Sequence, residues 1–83
     1  MSFKISWHPR AENSLNKLQK DVSERIVNKL DEVAEDLFRY LEHFEGSGYK
    51  LRIGDYRALI DVDFEKKILF VRVLDKRGRV YKR

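Results

Sequence analysis

The chain contains no cysteine, a single proline and only two histidines. Without thiols there is no disulfide, no thiol chemistry and no cysteine-ligated zinc or iron–sulfur centre. That composition fits a reducing compartment. No apolar run approaches the ~18 residues of a membrane span, and the opening MSFKISWHPR lacks the apolar stretch of a signal peptide. The expectation is a soluble cytoplasmic protein with no membrane partner. Internal repeats, low-complexity stretches and linkers are missing as well. The 83 residues suffice for one small domain, 1–83. A chain of this size buries roughly 60–65% of the surface its unfolded form exposes, which leaves no room for a dinucleotide fold or a barrel with its own substrate pocket.

What the chain does have is charge. Charged residues make up 39% of it, against a usual ~25%, while an apolar content of 42% excludes disorder. The net charge of +4 is unevenly placed. Residues 1–45 carry seven Lys/Arg and nine Asp/Glu, or −2; residues 46–83 carry eleven and five, or +6. The last eight residues, KRGRVYKR, hold five bases and no acid. Bases concentrated in one half form an electrostatic footprint for a polyanion, most often nucleic acid; a solvated basic tail is the alternative.

The periodicity predicts where these charges sit. Phe3, Ile5 and Trp7 alternate as in a half-buried strand. Pro9 suits the first turn of a helix running to about Lys20, with Ala11, Leu15 and Leu18 on one face. Asp21 and Glu24 have the spacing of a capping box that opens a second helix. Its apolar positions, Val22, Ile26, Leu30, Val33, Leu37, Leu41 and Phe44, step by three or four. The helix should end between Leu37 and Phe44, before the loop Glu45-Gly46-Ser47-Gly48. Tyr49–Ile53, Tyr56–Asp63 and Lys67–Leu74 then read as three strands. Links as short as Gly54-Asp55 and Phe64-Glu65-Lys66 make them an antiparallel meander. Arg79–Lys82 adds a short strand or a tail. The order β-α-α-β-β-β predicts an α+β fold, a helical hairpin packed on one face of a small, mainly antiparallel sheet.

The other sheet face is then open. Lys50 and Arg52 alternate with Tyr49, Leu51 and Ile53; Arg57 lies between Tyr56 and Ala58, and Arg72 within an apolar strand. Bases on adjacent strands would converge into a positive surface. Trp7, Phe38, Phe44 and Phe70 are expected in the core rather than as base-stacking platforms, and Tyr49 and Tyr56 are open between the two roles.

The run Tyr49-Lys50-Leu51-Arg52-Ile53-Gly54-Asp55-Tyr56-Arg57-Ala58-Leu59-Ile60 resembles the "kLR.G.YR" signature of the RelE/ParE toxin superfamily. Val71-Arg72-Val73-Leu74-Asp75-Lys76-Arg77, followed by Val80-Tyr81, is similar to that family's closing strand, basic turn and terminal tyrosine. The resemblance covers essentially the whole chain. It implies the toxin of a toxin–antitoxin pair, held inactive by a small RelB-like antitoxin. RelE-type members cut messenger RNA in the A site of the ribosome; ParE-type members share the fold and act on DNA gyrase without nuclease residues. Lys50, Arg57, Arg77 and Tyr81 occupy the positions of the RelE-type catalytic centre. Arg52, Arg72, Lys76, Arg79, Lys82 and Arg83 would then bind messenger RNA or the ribosome. Position 48, a second lysine in some nuclease members, is Gly48 here, and the stretch from Arg77 to Tyr81 is two residues shorter than in some of them.

The chemistry is coherent with that assignment. Transesterification requires removal of the 2′-OH proton, stabilisation of the phosphorane and protonation of the leaving 5′-oxygen. Arginine forks match phosphate oxygens bidentately and stay charged. Tyr81 serves as a base only if surrounding positive charge lowers its pKa from ~10, and Lys50 either transfers a proton or binds phosphate. No cofactor is expected, since no HxxE motif or carboxylate cluster suggests a metal. His8 and His43 fall on different elements, so a histidine acid–base pair is not expected, and Asp61 with Asp63 reads as a solvent-facing strand pair.

Overall fold

Alternation at the start of the chain produces strand β1 (Lys4–Trp7), whose Ile5 and Trp7 pack half-buried against the core. The computed structural model of the chain describes residues 2–46 and 48–76. His8-Pro9 takes the backbone out of the sheet into helix α1 (Pro9–Asn16). His8 is its N-cap, accepting the Arg10 N–H on Nδ1 at 3.0 Å. Pro9 sits in the first turn, where its missing N–H has no helical partner to lose. Helix α2 (Lys20–Glu35) follows after three residues and buries Ile26, Leu30, Val33 and Ala34. The expected capping box does not form. The helix starts two residues early, Gln19 rather than Asp21 is the N-cap and makes no side-chain cap, and Asp21 lies inside the first turn, where a carboxylate still favours the helix dipole.

The largest departure comes at the end of α2. The three-four step of apolar residues runs on through Leu37, Leu41 and Phe44, yet the helix stops at Glu35. Asp36 adopts φ −152° and ψ 79°, a conformation no helix accommodates. A single further turn, α3 (Leu37–Tyr40), buries Leu37, and Leu41 then enters the core in extended conformation. Both leucines reach the core without one continuous helix. The chain then forms a short strand, β2 (Glu42–Glu45), exposed at every position. Phe44, expected in the core, lies on this strand at 42% exposure, and Phe38 on α3 is 71% exposed.

Strands β3 (Gly48–Ile53), β4 (Tyr56–Asp63) and β5 (Ile68–Lys76) form the predicted meander. The sheet has five strands in the order β1-β5-β4-β3-β2, antiparallel from β2 to β5, with β1 parallel to β5. The α+β architecture holds, with one strand and one helical turn added. Parallel pairing of the first and last strands is open to this chain because the whole fold between them serves as the crossover. One sheet face, carrying Leu51, Ile53, Ala58, Ile60, Val62, Leu69, Val71 and Leu74, packs with Ile26, Leu30 and Val33. Burying each of the larger of these side chains contributes about 1.5–3 kcal/mol.

A β-bulge decides what the other face carries. Leu59 pairs with Val73 but Ile60 with Val71, which leaves Arg72 as the extra residue of β5. One inserted residue reverses the alternation beyond it. Ile68 and Phe70 are on the open face before the bulge, and Val73 and Asp75 after it. Leu74 and Lys76 go to the helix side.

Candidate nucleic-acid interface

The β3–β4 hairpin assembles the basic site. Its turn needs a residue at φ +59°, which Gly54 supplies without the Cβ clash that such a φ imposes elsewhere. The register then sets Arg52 opposite Arg57 and Lys50 opposite Leu59, so the three bases share the open face. Arg57 is 8% exposed although it lies on the face away from the helices; its other cross-strand neighbour is Asp75. Lys50, Arg52 and Arg57 line a concavity of about 300 Å³ together with Tyr40 and Glu42. Lys50 Nζ stands 4.0 Å from Glu42 Oε1 and 5.8 Å from the centre of the Phe44 ring. Like charges directly opposite one another on neighbouring strands destabilise a sheet, and an anion seated between them reverses that cost. Two guanidinium forks and an ammonium suit phosphate oxygens in particular.

The remaining expected bases divide. Arg72 is on the open face, but its Nε lies 3.5 Å from Asp61 Oδ2. Lys76 is displaced by the bulge: it pairs with Tyr56 and lines a groove with Ser14, Lys17 and Leu18 on the helix side. It does not join Lys50 and Arg57. Arg77, Arg79, Tyr81, Lys82 and Arg83, and the tail strand expected at Arg79–Lys82, lie outside the described residues.

Other side chains have structural employment. His8 caps α1, and His43 donates from Nε2 to the Gly46 carbonyl at 2.9 Å while its ring meets Tyr49 edge-on. Asp61 faces Arg72 and Asp63 accepts the Lys66 N–H at 3.0 Å. Among the described residues no group of three or more His, Asp or Glu could hold a metal ion. Trp7, Tyr49 and Tyr56 pack against the core. Phe70, expected inside, is half-buried on the open face beside the His8 ring. Sequence reasoning missed Glu42 and Tyr40, because both were assigned to a helix that the chain does not continue. The signal was a Glu-His-Phe-Glu segment ahead of Gly46 and a strand, the pattern of an edge strand entering a turn.

Residues 5–80 match the family model of the ParE toxin of the type II toxin–antitoxin system parDE. The chain belongs to the RelE/ParE toxin family. This toxin also matches solved structures over nearly its whole length. It shares 29% identity with a chain of the intact Escherichia coli RelBE toxin–antitoxin complex, covering 94% of this chain and 100% of that one at a TM-score of 0.77. The fold likewise matches the archaeal RelE–RelB complex of Pyrococcus horikoshii, at 24% identity, 95% and 99% coverage and a TM-score of 0.82. A RelBE toxin–antitoxin complex of Mycobacterium tuberculosis gives 18% identity, 93% and 100% coverage and a TM-score of 0.83. No curated protein matches the toxin in sequence. Among its described residues no helix is long and apolar enough to cross a membrane.

Proposed function

We propose that this toxin is a ribosome-dependent endoribonuclease of the cytoplasm that cuts messenger RNA in the ribosomal A site and thereby stops translation. The observation that carries the reading is the convergence of Lys50, Arg52 and Arg57 on one concavity of the open sheet face. The 2′-OH attacks the adjacent phosphate, Arg57 holds the non-bridging oxygens as negative charge builds on phosphorus, Lys50 transfers a proton or binds phosphate, Arg52 grips RNA beside them, and Arg77 and Tyr81 belong to the same catalytic set. No metal or other cofactor takes part. A donor aimed at developing charge contributes about 10²–10³ in rate. The concavity has no histidine in its lining, so most of the substrate orientation is left to the ribosome; orientation by itself is worth several kcal/mol, up to roughly 7–11. Lys76, Arg79, Lys82 and Arg83 add contacts to ribosomal RNA phosphates, which makes binding strongly salt-dependent, whereas Arg72, paired with Asp61, is left out of that surface.

A RelB-like antitoxin holds the toxin inactive by packing on apolar surface of the helical hairpin or sheet and covering the basic site. Co-expression of the neighbouring antitoxin gene is expected to restore growth and to co-purify the two proteins. Toeprinting on programmed ribosomes tests the activity itself: the wild type leaves an A-site cut that Arg57→Ala and Arg77→Ala weaken. Equal cutting by all three overturns the residue assignments, and no cut by the wild type overturns the activity. The ParE family match over residues 5–80 favours a second reading, inhibition of DNA gyrase by binding without cleavage. Only that reading predicts loss of supercoiling when toxin is added to purified gyrase.

A further inference from the structure

We propose that Phe44 is the platform on which one base of the bound RNA stacks, while the phosphate of the same nucleotide meets Lys50. The inference rests on the reading above that the concavity meets RNA, and adds a contact with a base to the grip on phosphate. Phe44 is presented by an irregularity of β2. Glu42 pairs with Lys50 and His43 with Tyr49, but Glu45 pairs with Gly48, which leaves Phe44 as the extra residue of its strand. Bulges of this kind re-aim a side chain beside a site. The ring ends 42% exposed, with its centre 5.8 Å from Lys50 Nζ. Gly48 belongs to the same irregularity. A Cβ there would stand 3.0 Å from the Glu45 carbonyl oxygen and 3.6 Å from Asp61 Oδ1, so a side chain is crowded out of the face next to Phe44.

The other aromatic rings are employed differently. Tyr40 lines the concavity, but it packs on the core and has Lys29 Nζ 4.2 Å from its ring centre. Phe38 and Phe64, also exposed, stack on each other at the far end of the molecule. Phe44 is the exposed ring set beside a base of the concavity. Cations alone hold any polyanion. An aromatic ring next to them adds a contact that only an unstacked base can take, because a duplex buries its base faces in its own stack. Base and phosphate of one nucleotide are joined through a single sugar, so one nucleotide reaches both the ring and the ammonium. Every base has a π-face, which makes the contact tolerant of sequence. Purines have the larger face, so the platform gives a modest preference for a purine at that nucleotide.

Equilibrium binding of the full-length toxin to programmed ribosomes tests the proposal without relying on cleavage. The A-site nucleotides carry 2′-O-methyl groups, which remove the attacking hydroxyl, and in three further messages one A-site base at a time is removed to leave an abasic sugar. Phe44→Ala is expected to bind the complete message about 5- to 100-fold more weakly than the wild type. Removing one particular base should weaken the wild type by a similar factor and leave Phe44→Ala unchanged, the signature of a direct contact in a double-mutant cycle. Phe44→Trp should behave as the wild type, and Phe44→Leu, which keeps apolar bulk without a π-face, as Phe44→Ala. The slope of log K against log salt should stay at its wild-type value in Phe44→Ala, since no phosphate contact is lost. Wild-type affinity in Phe44→Ala or Phe44→Leu overturns the proposal, as does equal sensitivity of wild type and Phe44→Ala to every abasic position. A flattened salt slope in Phe44→Ala overturns it too, because the ring then acts only by holding Lys50. If the wild type binds in this pattern but leaves an unmethylated message uncut, the ribonuclease reading falls and the base contact stands; no binding by the wild type overturns both.

Discussion

The open face of the sheet has two ends made from the same strands, and they differ in how their charges are used. At the β3–β4 turn, Lys50, Arg52 and Arg57 surround a concavity whose one carboxylate is Glu42. Toward the β4–β5 turn, Arg72 faces Asp61, Asp63 holds the Lys66 amide, and Phe64 stacks on Phe38 and meets Phe3 edge-on. The first end gathers three cations around one concavity, with Glu42 beside Lys50 and Asp75 across from Arg57; the second sets its one base on the face, Arg72, against Asp61. Counting bases on a face therefore says little about function. Their spacing against the acids decides which of them can meet an anion.

Substitutions at each end can break or sharpen that contrast. Arg57→Ala carries the largest expected effect, a fall of about 10²–10³ in the rate of messenger-RNA cleavage, read by single-turnover kinetics with the melting temperature followed in parallel. Gly54→Ala comes next, since Ala at φ +59° carries a left-handed penalty of about 1–2 kcal/mol. Its new Cβ would also meet the flexible end of Arg25 at 3.4 Å. Urea unfolding should show the lower midpoint, and a shift in the pairing of Arg52 with Arg57 would lower activity further. Arg52→Ala should weaken ribosome binding and reduce the slope of log K against log salt by about 1, because a phosphate contact is lost without loss of a core group. The smallest effect belongs to Arg72→Ala. Its pair with Asp61 is partly exposed and worth about 0–1 kcal/mol, so stability changes slightly and cleavage stays near the wild-type rate. A loss there comparable to that of Arg57→Ala would erase the distinction between the two ends.

Local pattern made much of this legible. Strict alternation located β3 and β4, and with them Lys50, Arg52 and Arg57 on a common face, while Pro9 marked the start of α1. Three features depended on non-local events. Helical spacing continues from Leu37 to Phe44, but the backbone at Asp36 breaks it; Leu37 and Leu41 are buried from a single turn and an extended residue instead. Nothing in the spacing distinguishes those routes to the core, so β2 and the Glu42–Lys50 pair stayed hidden. The bulge at Arg72 was likewise invisible, since one extra residue in a strand looks like alternation until its partner strand is present. It moved Lys76 to the helix side and left Arg72 beside Asp61. The order of the sheet, with β1 parallel to β5, came from pairing between the two most distant strands.

The most direct test of the account compares one residue from each end in a single assay. Toeprinting on programmed ribosomes with wild type, Arg57→Ala and Arg72→Ala should show an A-site cut from the wild type and from Arg72→Ala, with that of Arg57→Ala nearly abolished. Equal loss in both variants, or no loss in either, would contradict the claim that the β3–β4 end of the sheet is where the toxin meets RNA.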